Sequence, residues 1–287
     1  MLGHKLCQHL GARFPDTHAT IRGPTVDPAH SEYLRNARII TGIDAMNFGI
    51  VKRLLDQLEP QVIVNCVAVT KRRDAADDAL TSIELNSALP HRLGVWATTH
   101  SARLFHFSTD CVFDGRTGGY TEDSPTNAAD LYGRTKALGE VTGPGILTLR
   151  TSFVGREISH GTELLEWFLA QRGKRIKGYR NALYTGVSTL WMAKLVGDLI
   201  ERQPALEGLY QVAAPPVNKY ELLLLARQAF NLQVEIDLDD GVIVRRNLDG
   251  DRFRKATGIE VPDWPKMMSD LAHDPTPYAR WSTTDAA

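Results

Sequence analysis

The sequence predicts an α/β protein with a Rossmann-like, doubly wound parallel sheet and a smaller C-terminal lobe. Two observations favour this class. Over the first 150 residues, short apolar runs rich in β-branched side chains alternate with segments of helical periodicity, which is the pattern of successive βαβ units. Beyond Arg150 the alternation becomes irregular. We therefore expect one domain over residues 1–150, completed by roughly 188–202, and a lobe made mainly of residues 151–287.

The individual elements follow from the same periodicities. Apolar, β-branched runs predict strands, and apolar residues that recur every three or four positions predict helices. Pro90, inside one helical segment, marks a kink or a first helical turn, because proline cannot donate a backbone hydrogen bond. The predicted strands are 18–22, 38–41, 61–67, 103–108 and 146–151. The predicted helices are 47–58, 83–98, 164–171 and 188–201.

The composition argues against several classes of protein. The chain has 287 residues, of which 43% are hydrophobic, and a net charge of −1, so it creates no field that would attract nucleic acid or an anionic membrane. No apolar run approaches the roughly 18 residues of a membrane span. The three cysteines, Cys7, Cys66 and Cys111, are too far apart for a zinc site or a disulfide framework. We expect reduced thiols, no bound metal and a cytoplasmic protein.

Residues 108–140 carry the strongest chemical signal. Thr109 and Asp110 follow a predicted strand, and a glycine-rich loop leads from them to a helix with Tyr132 and Lys136. Side chains four apart on a helix are neighbours. The Lys136 ammonium is therefore expected to lie near the Tyr132 phenol and to lower its pKa from about 10 towards neutrality. The Thr109 hydroxyl can hold a carbonyl oxygen beside that phenol. Together the three side chains predict a carbonyl reductase.

This stretch resembles the extended short-chain dehydrogenase/reductase superfamily and, within it, the dTDP-4-dehydrorhamnose reductase-like nucleotide-sugar reductases. The likeness reaches over nearly the whole chain. It departs from the commoner family pattern at Cys111, where an aromatic residue is usual. The matching segments are 64–68, 108–115, 120–122, 132–136, 139–140, 149–153, 252–254 and 262–265.

The resemblance implies a reaction and a set of roles. The reaction is NAD(P)H-dependent hydride transfer to a keto carbon, usually C4, of a nucleotide-activated deoxysugar used in cell-surface polysaccharide synthesis. Tyr132 would donate the proton, Lys136 would hold the nicotinamide ribose, and Thr109 would hydrogen-bond the developing alkoxide. The substrate residues implied are Lys71, Thr109, Asp110, Arg150 and Phe153, with Lys71 and Arg150 facing the diphosphate.

The cofactor residues begin at the first position of the chain. Met1, Leu2 and Gly3 resemble the end of the G-x-x-G-x-x-G turn of dinucleotide-binding proteins, with Gly3 as its last glycine. We therefore expect the first strand and the two leading glycines to lie upstream of Met1, because of a misplaced start or a truncation. Two alternatives stay open: a complete chain that binds cofactor poorly, and a mitochondrial presequence marked by Lys5 and Arg13.

Two further cofactor residues lie near the second and third strands of the expected fold. Arg22 stands where an arginine accepts a 2′-phosphate, which favours NADP while leaving NAD open; the alternative is a solvated surface side chain. Asp44, followed by Ala45, matches the family position that binds the adenine. The alternative is that Asp44 caps the helix 47–58, and both can hold.

The remaining cofactor residues lie after the fourth strand of the expected fold. Cys66, Val67 and Ala68 match the turn beneath the adenosine ribose. Asn86 stands where the superfamily has an asparagine that orders the active-site backbone. The alternative for Asn86 is a buried polar residue satisfied by the main chain.

Two other functions stay open. Cys111 with His160 would suit an epimerase that also reduces, since some nucleotide-sugar enzymes of the superfamily use a cysteine and a histidine in this way. A non-catalytic regulatory subunit, like that of methionine adenosyltransferase, is the other alternative. The expected partner is a nucleotide-sugar substrate, with no nucleic acid and no membrane. Homodimerisation is expected by fold analogy alone.

Overall fold

The fold is described from a computed structural model of the chain, for residues 1–26, 34–70, 78–158 and 161–278. Its strands are β1 (His18–Thr20), β2 (Arg38–Ile40), β3 (Val62–Asn65), β4 (Arg103–Thr109), β5 (Ile146–Thr151), β6 (Phe153–Val154), β7 (Arg175–Tyr179), β8 (Ala182–Tyr184), β9 (Val187–Ser188), β10 (Gly208–Gln211), β11 (Val217–Asn218), β12 (Glu235–Asp239) and β13 (Val244–Arg245). Its α-helices are α1 (Leu2–Arg13), α2 (Phe48–Leu58), α3 (Ala79–Ile83), α4 (Leu89–Thr99), α5 (Leu131–Leu138), α6 (Leu164–Leu169), α7 (Thr189–Arg202), α8 (Lys219–Ala229), α9 (Asp251–Thr257) and α10 (Trp264–Ala272). A π-helix (Glu84–Ala88) and a 3-10 helix (Asp110–Val112) complete the set.

Four parallel strands form the main sheet, in the order β10-β5-β4-β3. Alternate side chains of β4 pack on opposite faces. Phe105 joins the core made with α1 and α7, whereas Leu104 joins the core made with α4. Because both faces of this parallel sheet are covered, its two central strands, β4 and β5, are buried almost throughout. This arrangement confirms the predicted doubly wound α/β class.

The first two strands form a separate pair. β1 and β2 run parallel, with His18 opposite Arg38. Within the described ranges, neither β1 nor β2 pairs with a strand of the main sheet. Within the described residues, no strand pairs with both β1 and β3. The upstream strand and glycines therefore stay a prediction.

Several strand ends differ from the prediction by one or two residues, and β1 and β2 end early, at Thr20 and Ile40. β3 ends at Asn65, two residues early, because the Asn65 side-chain oxygen accepts a 3.1 Å hydrogen bond from Val67 N and turns the chain. β4 continues to Thr109, one residue beyond the predicted end. β10 is not predicted at all. It pairs Gly208–Gln211 with β5, so the main sheet takes one strand from the segment assigned to the lobe.

The predicted helix 83–98 is longer than expected and not uniform. α3, the π-helix and α4 follow one another without a break from Ala79 to Thr99. Pro90 lies in the first turn of α4, where its missing N–H is tolerated. In the π-helix the Leu89 N–H bonds to the Glu84 oxygen, five residues back. The wider turn accommodates one extra residue within the run.

The C-terminal part of the chain contributes to both regions. α7 lies against α1, where Arg13 pairs with Asp198 and Glu201. The smaller lobe contains the short sheets β11-β8-β13 and β7-β12. The chain then returns to α1, where Lys5 and Asp274 form a buried ion pair at 2.5 Å. The domain limits at residues 150 and 188–202 stay a prediction.

No helix in the described ranges is both long enough and apolar enough to cross a membrane. The same ranges contain no group of three or more His, Cys, Asp or Glu side chains placed to hold a metal ion.

Candidate active site

The carboxyl end of β4 forms one wall of the site. Thr109 is buried, and its hydroxyl accepts a 3.1 Å hydrogen bond from Cys111 N, which starts the 3-10 helix. The same hydroxyl donates to the Asp110 carboxylate at 3.1 Å. The local sequence thus turns the chain sharply after the strand and fixes the orientation of the Thr109 hydroxyl.

Helix α5 forms the facing wall. Asp130 caps it by accepting a 2.9 Å hydrogen bond from Gly133 N. At Gly133 a Cβ atom would overlap the Cys111 carbonyl oxygen, so only glycine lets the helix approach the strand end this closely. The approach brings Tyr132 into hydrogen-bonding contact with the Thr109 side chain. The structure therefore brings together two of the three predicted catalytic groups.

Lys136 lies one turn further along α5 and is buried, with 3% of its surface exposed. Its Nζ donates a 2.6 Å hydrogen bond to the Phe107 carbonyl oxygen of β4. Burial lowers the pKa of Lys136 to about 8, and the Glu140 carboxylate opposes this shift. A desolvated ammonium held at the strand end is available to ligand hydroxyls.

The expected effect of Lys136 on Tyr132 is wrong for this structure. Burial raises the pKa of Tyr132 instead of lowering it, and the neighbouring Cys111 and Asp110 act in the same direction. The physical reason is that the phenol is desolvated while the Lys136 ammonium is directed at the Phe107 carbonyl oxygen. The phenol is therefore held in its protonated form.

Arg150 is buried and bound to a carboxylate, and its predicted contact with a diphosphate stays a prediction. Its guanidinium is 1% exposed and binds Glu140 with two hydrogen bonds, Nε to Oε1 at 2.8 Å and Nη2 to Oε2 at 2.7 Å. Ser108, opposite Arg150 in the β4–β5 register, donates to Glu140 Oε1 at 2.5 Å. Two of the three guanidinium nitrogens of Arg150 are therefore bound to Glu140, whereas Nη1 has no hydrogen-bond partner among the described residues.

Asn86 connects three segments of the site. It is completely buried in the π-helix. Its side chain accepts from Val69 N at 2.9 Å and donates to Val69 O at 3.1 Å and to Thr135 Oγ1 at 3.2 Å. Both sequence-based interpretations hold for these contacts, since the amide is satisfied by main chain and also orders the turn after β3 against α5.

The cofactor residues at the chain start lie beside the turn after β3. A Cβ on Gly3 would lie 3.9 Å from the Cys66 Cβ, so the start of α1 adjoins that turn. Cys66, Val67 and Ala68 are exposed there. Met1 is half-buried at the N-cap of α1, and Leu2 is buried. Leu2 therefore contributes to the core, and contact of its side chain with a cofactor is not expected.

Arg22 and Asp44 lie on adjacent segments beyond β1 and β2. The bonds Gly42 N to Gly23 O (2.9 Å) and Ile43 N to Ile21 O (3.0 Å) hold these segments together. Arg22 is exposed. The Asp44 carboxylate accepts from Met46 N at 3.0 Å.

The N-cap position of helix α2 is Asn47, which makes no side-chain cap hydrogen bond, and the Asp44 carboxylate bonds to Met46 N ahead of the helix, so the interpretation of Asp44 as the cap is wrong. Ala45, its neighbour in the predicted adenine site, is half-buried and packs against the core that contains Leu55.

The remaining substrate residues are only partly placed. Phe153 lies on β6, edge-on to Phe107 at 5.9 Å between ring centroids. Asp110 is buried at the strand end. Lys71, and also His160 of the epimerase alternative, lie outside the described residues.

Tyr184 and Glu163 were missed by the sequence-based reasoning. Tyr184 is 7% exposed, and burial together with Asp110 raises the pKa of its phenol. Cys111 and Glu163 act on the pKa of Tyr184 and on that of Tyr132, so the two phenols share their surroundings. No spacing rule connects Tyr132 with a strand about fifty residues later, and no signal in the sequence could have identified this pair.

Comparison with known proteins supports a single family. The RmlD substrate binding domain model matches residues 2–230. A probable dTDP-4,6-dihydroxy-2-methyloxan-3-one 4-ketoreductase of Streptomyces antibioticus is 30% identical over 256 residues, covering 85% of this chain and 79% of that protein. Methionine adenosyltransferase 2 subunit beta of Xenopus tropicalis is 26% identical over 204 residues, covering 66% and 60%.

A solved structure shares the fold. The dTDP-4-dehydrorhamnose reductase of Bacillus anthracis, in complex with NADP, superposes with a TM-score of 0.72 at 18% identity, covering 89% of this chain and 98% of that chain.

Proposed function

Because the chain belongs to the RmlD substrate binding domain family, we propose that it uses NADPH to reduce a keto group on a nucleotide-linked deoxysugar. C4 is the proposed position of that keto group. The observation that carries the proposal is the contact between Thr109 and Tyr132 beside the buried Lys136. The names of the relatives make dTDP-linked sugars the first substrates to try.

The described residues fit a dinucleotide. Helix α1 has no side-chain cap hydrogen bond and no acidic residue in its first turn, so its N-terminal end favours a pyrophosphate. Arg22 is exposed where a 2′-phosphate would select NADP, and NAD is the weaker alternative. The bound nicotinamide supplies the hydride. Lys136 has N–H donors beyond the one given to Phe107, and these suit ribose hydroxyls.

Each catalytic side chain has one task in this proposal. Tyr132 donates a proton to the substrate oxygen, and its raised pKa keeps the phenol protonated until that step. Thr109 hydrogen-bonds the same oxygen as negative charge develops, which is typically worth a few kcal/mol. Lys136 offers its remaining N–H donors to the ribose of the cofactor.

The proposed setting is the cytoplasm, because Cys7, Cys66 and Cys111 are all free thiols. A homodimer is proposed from fold analogy, and sedimentation measurements test it.

Titration of protein fluorescence with NADPH and NADH tests the proposal, followed by NADPH consumption with dTDP-4-keto-6-deoxysugars. We expect NADPH to bind more tightly and to be oxidised only when the sugar is present. Tyr132→Phe is the matched control, and it should bind NADPH without turnover. Binding of neither cofactor would overturn the reductase proposal.

Two specific observations each favour a different alternative function. The likeness to methionine adenosyltransferase 2 subunit beta favours a regulatory subunit. Failure of both NADPH and NADH to bind would support this function. Cys111 adjoins Tyr132, as an epimerase that also reduces would require. Solvent deuterium at C3 or C5 of the product would support epimerisation, and its absence would exclude it.

A further inference from the structure

We propose that Glu140 is a positioning residue of this site, because its carboxylate connects the ends of β4 and β5 to the end of helix α5. Among the described residues, Glu140 is also the acidic neighbour whose charge acts on Lys136. The proposal rests on the proposed function and deepens it. Oε1 accepts from Ser108 at 2.5 Å and from Arg150 Nε at 2.8 Å, and Oε2 accepts from Arg150 Nη2 at 2.7 Å.

The position of Glu140 in the chain makes these contacts relevant to the chemistry. Ser108 immediately precedes Thr109, so a bond to Ser108 fixes the strand end that carries that hydroxyl. Lys136 lies in the last turn of α5, and Glu140 follows the cap residue Gly139 just beyond the end of the helix. At Gly139 a Cβ atom would overlap the Asn86 carbonyl oxygen, so the end of α5 approaches the π-helix closely. One carboxylate therefore connects both walls of the site.

Charge gives Glu140 a second effect. Lys136 and Arg150 are 3% and 1% exposed, and Glu140 is the anion that they share. Of the other groups around Lys136, His106 on β4 stays neutral because burial lowers its pKa well below the usual value. The phenol of Tyr132 stays protonated because burial raises its pKa.

His91 on α4 also lowers the pKa of His106. Loss of the charge of Glu140 should therefore lower the pKa of Lys136 further. Loss of Arg150 removes the cation that is paired with Glu140, so it should raise the pKa of Lys136.

The test compares Glu140→Gln with Arg150→Gln. The titration of Lys136 is followed by NMR of ε-13C-labelled lysine in the cofactor-free protein, with assignment by Lys136→Met. We expect the Lys136 midpoint to move to lower pH in Glu140→Gln and to higher pH in Arg150→Gln. The pH profile of kcat should move with it, and Glu140→Gln should lose at least tenfold in kcat at pH 8. A merely structural role moves neither midpoint.

Two further variants complete the design. Glu140→Asp keeps the charge and should recover part of the wild-type midpoint. Ser108→Ala removes one contact of Glu140 without changing charge, and it should leave the midpoint in place.

Identical Lys136 midpoints in all variants would overturn the proposal. If Glu140→Gln does not fold, the shift in Arg150→Gln decides alone. The Lys136 midpoint could move in opposite directions in Glu140→Gln and Arg150→Gln while the wild-type protein reduces no ketosugar. That result would refute the proposed function and leave the coupling between Glu140 and Lys136 intact.

Discussion

Lys136 should make the stability of the folded protein rise with pH in the alkaline range. Burial lowers its pKa from 10.5 in the unfolded chain to about 8 in the folded protein. Between those values the unfolded chain binds a proton that the folded chain has released, so the free energy of unfolding increases as pH rises. Each pKa unit is worth about 1.4 kcal/mol, so the full gain is about 3 kcal/mol. The penalty for burying the charge is fully present below pH 8.

Urea unfolding of the wild type and of Lys136→Met at intervals from pH 6.5 to 10.5 measures this gain. The difference in unfolding free energy between the two proteins should stay constant up to about pH 8 and then change by about 3 kcal/mol in favour of the wild type. Lys52→Met is the matched control, because Lys52 is an exposed partner of Asp56 and should give no such change. Parallel curves for the wild type and Lys136→Met would refute the reasoning.

Three further predictions concern the same site. Tyr132→Phe should lower kcat by about 10²-fold or more, since it removes the proton donor, with a melting temperature near that of the wild type; wild-type turnover would refute the mechanism. Gly133→Ala should destabilise the fold by about 1–3 kcal/mol, because its Cβ overlaps the Cys111 carbonyl oxygen, whereas the exposed neighbour change Arg134→Ala should be nearly neutral in thermal unfolding. Asn86→Leu should cost about 2–4 kcal/mol in urea unfolding, because it leaves both polar groups of the Val69 backbone unpaired. Unchanged stability of Asn86→Leu would mean that these groups find other partners.

The sequence predicted those parts of the molecule that depend on local pattern. β5 matches its predicted bounds, because the apolar start of the run marks a strand that is buried on both faces along its whole length. Thr109, Tyr132 and Lys136 could be grouped because strand, loop and helix follow one another within about thirty residues. The short run Gly208–Gln211 could not be recognised as a strand, since its place beside β5 depends on pairing between distant segments.

Electrostatic properties could not be predicted from spacing. The spacing of four positions from Tyr132 to Lys136 predicts proximity, but the pKa of each group depends on how much water the folded chain excludes around it. Arg150 illustrates the same limit. Its position near the expected substrate pocket predicted contact with a diphosphate, whereas its burial depends on the register with Ser108 and the contact with Glu140.

The π-helix at Glu84–Ala88 makes this part of the chain intolerant of a change in length. A π turn is equivalent to one residue inserted into an α-helix, and deletion of one residue there would restore the regular helix. Everything on one side of the deletion would then rotate by about 100° relative to the other side. Asn86 would move away from Val69 and Thr135, and the turn after β3 would lose its attachment to α5. Among relatives of this chain, length variation should therefore be found before Ala79 or after Thr99 and avoided between them.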